Sequence, residues 1–173
     1  MDKTLVVISG GTIDACAYRQ TPENITPLET SIIPDAVRML GFAEECVFYS
    51  WLRKDSKDIT ETDLRDLANI IDHQGYKHVV ITHGTDRMVQ NAALMLKQDV
   101  IAGSDKVIVF TGAMVPLANE IEGYEKSDGY GNLRYSLTQV KTAKPGVYIG
   151  FQDKLFDPLR THKDFKNKIL VES

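Results

Sequence analysis

Five short apolar runs punctuate the chain: Thr4 to Ser9, Val47 to Trp51, His78 to Thr82, Val107 to Thr111 and Val147 to Phe151. Each is continuous rather than alternating, the pattern of a strand buried on both faces of a parallel sheet. Helical spacing fills the gaps between them. Thr60 is placed to cap a helix with Asp63 reaching back, and Leu64, Leu67, Ala68 and Ile71 then share one face. Met88, Ala92, Met95 and Leu96 make a second stripe. Leu133, Leu137 and Val140 make a third, closed by Lys144, Pro145 and Gly146. A shorter helix is expected from near Pro34 to Gly41. Strands alternating with helices predict an α/β fold of three layers, an open and mostly parallel sheet with helices on both faces. No repeat, low-complexity tract or linker divides the 173 residues, so a single domain over 1–173 is expected. Two stretches have the length of functional loops: Asp14 to Thr30, and Met114 to Gly131, which contains Gly123, Gly129 and Gly131.

Ligands of open parallel sheets sit beyond the carboxyl ends of the strands. That rule selects residues. The first run passes into Gly10-Gly11-Thr12-Ile13, the third into Thr82-His83-Gly84-Thr85-Asp86 and the fourth into Thr111-Gly112-Ala113-Met114. Beyond the second lies Lys54-Asp55-Ser56-Lys57-Asp58. Beyond the fifth come Asp157 and Arg160-Thr161-His162-Lys163. The parallel reading therefore gathers two threonines, an aspartate, a serine and a lysine at one edge of the sheet.

Each segment alone has an ordinary explanation. A Gly-Gly-Thr turn is commonly just tight, and the Gly-x-Gly-x-x-Gly dinucleotide fingerprint is absent. Thr85 and Asp86 suit the cap of a helix starting near Met88, and Ser56 suits a turn. Lys163, near Lys166 and Lys168, suits a solvated surface.

Composition narrows the partners. The chain is 43% apolar and 25% charged with a net charge of −4, and no dense basic stretch marks a nucleic-acid footprint. No secretory leader or membrane-length apolar run is found, which predicts a cytoplasmic protein with no membrane partner. Cys16 and Cys46 are then expected as free thiols. His73, His78, His83 and His162 lack paired metal-ligand spacing, so no metal site and no cofactor are implied.

Taken together, the strand-end segments resemble the L-asparaginase family of bacterial type, across nearly the whole chain. Gly10 to Ile13 reproduce that family's Gly-Gly-Thr-Ile turn, Thr82 to Asp86 its Thr-His-Gly-Thr-Asp turn, and Gly112 to Met114 its Gly-Ala-Met turn. In one branch the catalytic lysine follows an aspartate by six residues, as Lys163 follows Asp157. The resemblance implies the N-terminal asparaginase domain, a Rossmann- or flavodoxin-like fold, and the conversion of asparagine to aspartate and ammonia. Thr12 would attack the amide carbon and form an acyl-enzyme. Thr85, Lys163 and Asp86 would form a second catalytic cluster, the lysine taking a threonine proton if its surroundings lower its pKa. The resemblance also gives Asp86 the substrate's α-ammonium and Ser56 its α-carboxylate. Gly11, Asp55, Gly84 and Ala113 complete the substrate-binding set, some through backbone N–H groups. A homo-oligomer, at least a dimer, is implied as well.

Three departures from the family qualify this. The family's smaller C-terminal domain, through which a neighbouring subunit adds an acidic residue, is not found in these residues. Tyr18 is the candidate for the family's lid tyrosine, yet it follows Thr12 by six residues, closer than usual, and packing is its other reading. Lys57 stands where one branch has a substrate-contacting glutamine, and either holds an acidic group of the substrate or points to solvent. Asparagine and glutamine differ by one methylene, so the sequence does not separate them. Another small amide as substrate, a non-catalytic amino-acid-binding or regulatory module, and a nucleotide-binding flavodoxin-like domain are the competing readings. The last lacks a phosphate loop, and binding alone would not require both hydroxyls and the lysine.

Overall fold

The computed structural model describes residues 2–15, 28–118 and 126–172. Five strands, β1 (Thr4–Ile8), β2 (Cys46–Ser50), β3 (His78–Thr82), β4 (Val107–Thr111) and β5 (Gly146–Phe151), run parallel. A short β6 (Lys154–Phe156) turns back antiparallel on β5, and the sheet order is β2-β1-β3-β4-β5-β6. Four helices connect them: α1 (Ile33–Met39), α2 (Glu61–Gln74), α3 (Met88–Leu96) and α4 (Gly129–Gln139).

Side-chain alternation along each strand sorts the core into two layers. Leu5, Val7, Val79, Ile81, Ile108 and Phe110 face α2 and α3, meeting Leu64, Leu67, Ile71, Met88 and Met95. Val6, Ile8, Val80 and Val109 face the other way, onto Ile33, Val37, Leu133 and Leu137 of α1 and α4. Both faces are covered, which is why the strand runs are apolar without a break. The expected three-layer α/β architecture is the observed one.

Local chemistry sets the helix ends. Thr60 Oγ1 accepts from Asp63 N–H while Asp63 Oδ2 accepts from Thr60 N–H, the expected capping box of α2. Gly75, in the left-handed region at φ 71°, closes that helix. Helix α4 begins at Gly129, two residues before the second loop was expected to end.

The chain after β5, for which the apolar pattern predicts no element, forms three short strands. Beyond β6, β7 (Thr161–Asp164) and β8 (Ile169–Glu172) form a separate antiparallel hairpin. Leu170 is buried in the α2–α3 core layer and anchors the hairpin. Asn167 and Lys168 lie at its turn, where Asp164 accepts from the Lys166 and Asn167 N–H groups. Alternation over four residues is too short to separate from loop in the sequence.

Cys46 is a free, buried thiol; burial first, then the Glu45 charge, pushes it up to about 11 and leaves it unreactive. Cys16, Tyr18 and Gly123 lie outside the described residues. Among the described residues, no helix is long and apolar enough to cross a membrane.

Candidate active site

The carboxyl ends of β1, β3 and β4 close onto one another through their glycines. After β1 the chain turns at Gly10 and Gly11, both at positive φ, into a 3-10 turn over Thr12–Asp14 that presents Thr12. A Cβ on Gly11 would lie 2.4 Å from the Gly84 backbone nitrogen, and one on Gly112 would lie 2.5 Å from the His83 carbonyl oxygen. Backbone therefore packs on backbone, a contact only glycine permits. A Cβ on Gly84 would lie 2.8 Å from Ser56 Oγ, which brings the turn after β2 into the same cluster.

Thr85 and Asp86 do not cap α3. The residue before that helix is Arg87, which makes no side-chain cap. Instead Lys163, arriving on β7, donates to Thr85 Oγ1 at 2.9 Å and to Asp86 Oδ1 at 2.6 Å. Its side chain is only 9% exposed. The surface reading of this lysine does not hold, because the hairpin folds it inward over the end of β3. Lys57 Nζ pairs with the second oxygen of Asp86 at 3.1 Å. Burial alone would raise the Asp86 carboxyl, but hydrogen bonds from Lys163 and Lys57 outweigh it and hold it below the usual carboxylate range. The Thr85 hydroxyl also lies 3.7 Å from the Met114 thioether.

Several site residues are held by partners that motif reading missed. His83 is fully buried: its Nδ1 lies 2.8 Å from the Gly84 carbonyl and its Nε2 lies 3.1 Å from Asn91 Nδ2. A neutral ring with its proton on Nδ1 satisfies both, and burial holds the imidazolium pKa down to about 4. Asp128 accepts from the Met114 and Val115 N–H groups at 3.0 and 2.8 Å, fixing the turn that contains buried Ala113. Asn132 donates to the Gly112 carbonyl at 2.9 Å and accepts from Gln152 N–H at 2.9 Å, joining the ends of β4 and β5. Asp14, fully buried, accepts from Ile32 N–H at 2.9 Å, and Arg53 reaches both Asp14 and the Leu28 carbonyl. The one sequence signal for these residues is a polar side chain among apolar ones, as with Asn91 inside its stripe.

Asp55 and Ser56 are more engaged than their turn suggests. The Asp55 carboxylate accepts from Lys57 N–H at 3.0 Å, capping the short turn Ser56–Asp58. Ser56 is 1% exposed, and its Oγ accepts from Arg87 N–H at 3.3 Å. The structure thus brings Gly11, Thr12, Asp55, Ser56, Gly84, Thr85, Asp86, Ala113 and Lys163 to one edge of the sheet; Tyr18 is the member outside the described residues. No group of three or more His, Cys, Asp or Glu able to hold a metal occurs among the described residues.

An open, mostly parallel sheet with helices on both faces places this chain in the doubly wound class, whose ligands sit beyond the carboxyl ends of the strands. Within that class the family description "Asparaginase, N-terminal" matches residues 3–169, and the chain belongs to this family. An L-asparaginase from Thermococcus kodakarensis is 33% identical over 88 residues, 51% of this chain and 25% of that protein. The solved structure of the thermostable L-asparaginase from that organism has a TM-score of 0.76 at 28% identity, covering 98% of this chain and 51% of the other. A probable cytoplasmic L-asparaginase from Campylobacter jejuni has the same TM-score at 25% identity, covering 94% and 50%. The chain spans about half the length of these solved structures.

Proposed function

We propose that this chain carries the site of an amidohydrolase that converts L-asparagine to L-aspartate and ammonia, with glutamine as a weaker or alternative substrate. The observation that carries the reading is Lys163, held 2.9 Å from Thr85 Oγ1 and 2.6 Å from Asp86 Oδ1 by a hairpin 77 residues downstream of Asp86. A solvated lysine would not require this inward anchorage. In the proposed reaction Thr12 Oγ attacks the side-chain amide carbon and the C–N bond breaks. The leaving nitrogen takes a proton and departs as ammonia, and water then hydrolyses the threonine ester to release aspartate. The hydrogen-bonded Thr85 and Lys163 pair handles the protons, and Asp86 receives the α-ammonium of the substrate. Backbone N–H groups of the glycine turns and of Ala113 surround the amide, where they would stabilise the oxyanion without reorganising. Tyr18 joins this proposal as a lid hydroxyl and Lys57 as a rim cation. Self-association into at least a dimer is part of the same reading, and sedimentation velocity checks it.

Ammonia release from asparagine and glutamine by the purified chain tests the reaction, with Thr12→Ala and Lys163→Met alongside. The expected result is release from asparagine that falls by about 10³-fold or more in each variant. No release from either amide by a folded protein that still binds aspartate would replace the hydrolase with an amino-acid sensor.

A further inference from the structure

On the reading above, Asp86 receives the substrate's α-ammonium, and the inference rests on that assignment. Yet both oxygens of this carboxylate already hold ammonium groups: Lys163 on Oδ1 at 2.6 Å and Lys57 on Oδ2 at 3.1 Å. The two lysines differ in kind. Lys163 is nearly enclosed and is also bonded to Thr85, so its position belongs to the hairpin. Lys57 has a side chain 46% exposed on the rim. Its backbone is pinned by Asp55 through the turn, while its half-exposed side chain has solvent as the alternative to Asp86. The neighbouring cation Lys54 is committed elsewhere, 2.9 Å from Asp63.

An incoming α-ammonium has the same charge and the same donors as the Lys57 ammonium, and it needs the same oxygen. With Lys163 and Lys57 in place, the substrate group would be a third ammonium on one carboxylate, and like charges a few ångströms apart repel even in water. We propose that Lys57 is a built-in stand-in for the substrate ammonium and thereby a specificity-determining residue. It weakens selection for zwitterionic amino-acid amides relative to ω-amides of dicarboxylic acids that lack an α-amino group. A substrate of the second kind leaves the Lys57–Asp86 pair intact and brings no further ammonium to it. A zwitterionic substrate meets the repulsion of Lys57 unless that half-exposed side chain swings out to solvent.

Aspartate and succinate, which differ only by the ammonium group, probe this directly by calorimetric titration at low ionic strength, where exposed charges are least screened. With Lys57→Gln, aspartate is expected to bind about three- to tenfold more tightly than to the wild type, in keeping with one exposed ion pair. Succinate is expected to bind no better, and Lys57→Arg to keep the wild-type ratio. The ratio of kcat/KM for asparagine and for succinamic acid should move the same way, through KM. An aspartate-to-succinate ratio unchanged in Lys57→Gln overturns the proposal, as does binding of neither acid. A shifted binding ratio without ammonia release would retain the role of Lys57 and defeat the hydrolase reading. Ammonia release with unshifted ratios would do the reverse.

Discussion

His83 and Asp86 are three residues apart, yet their titration is set by opposite means with one thermodynamic consequence. His83 is neutral because burial excludes the imidazolium, down to about 4 from an ordinary 6.5. Asp86 is ionised because two lysines outweigh its burial. In both cases the unfolded chain binds the proton more readily than the folded one, so stability rises with pH between the folded and unfolded values. For His83 that window runs from about 4 to 6.5, and the shift corresponds to roughly 3 kcal/mol across it. Asp14 works in the opposite sense: burial raises its carboxyl, so its contribution declines as pH rises above the ordinary carboxylate value. Urea midpoints measured between pH 4.5 and 7 should climb for the wild type and climb less for His83→Gln. Equal slopes would mean that the ring is accessible to protons in the folded state.

Among the elements, two helix starts show how far local rules reach. At α2 the rule holds fully, since Thr60 and Asp63 exchange both capping bonds. Thr60→Ala should lower stability by about 1 kcal/mol, read as a shift in thermal or urea midpoint, and should leave ammonia release unchanged. At α3 and α4 the rule is overridden. Thr85 and Asp86 precede one helix and Asp128 the other, all residues that favour caps, yet none caps its own helix. Thr85 and Asp86 turn to Lys163, and Asp128 turns to the backbone of Met114 and Val115. Capping residues withdrawn from their helices mark the places where the loops are being shaped for another purpose.

For the whole molecule, the decisive feature is the close approach of strand ends that are remote in sequence. Gly11 meets Gly84 across the β1–β3 boundary with no room for a side chain, and its φ of 83° is itself unfavourable for any other residue. Gly11→Ala should cost about 1–3 kcal/mol in the urea midpoint, and should reduce turnover far more by moving Thr12 away from the Gly84–Asp86 turn. Full turnover in that variant would show that the two turns work independently. The hairpin has the complementary role. It adds nothing to the main sheet, and its packing against α3 brings a lysine to a site otherwise built from the strand ends.

By itself the sequence determined the order of β1 to β5 and α1 to α4, the capping of α2 and the edge of the sheet at which Thr12, Ser56, Thr85, Asp86 and Lys163 collect. Those features follow from hydrophobic spacing and from strand direction, both of which are written locally. Tertiary structure alone decided that a hairpin carries Lys163 in, that Lys57 takes the second oxygen of Asp86, and that His83, Asp128 and Asp14 hold the turns through Asn91, the Met114 backbone and Arg53. The reason is physical. A charged or polar side chain has several acceptable partners, and which one it finds depends on where distant parts of the chain return, a matter of packing that no window of sequence contains.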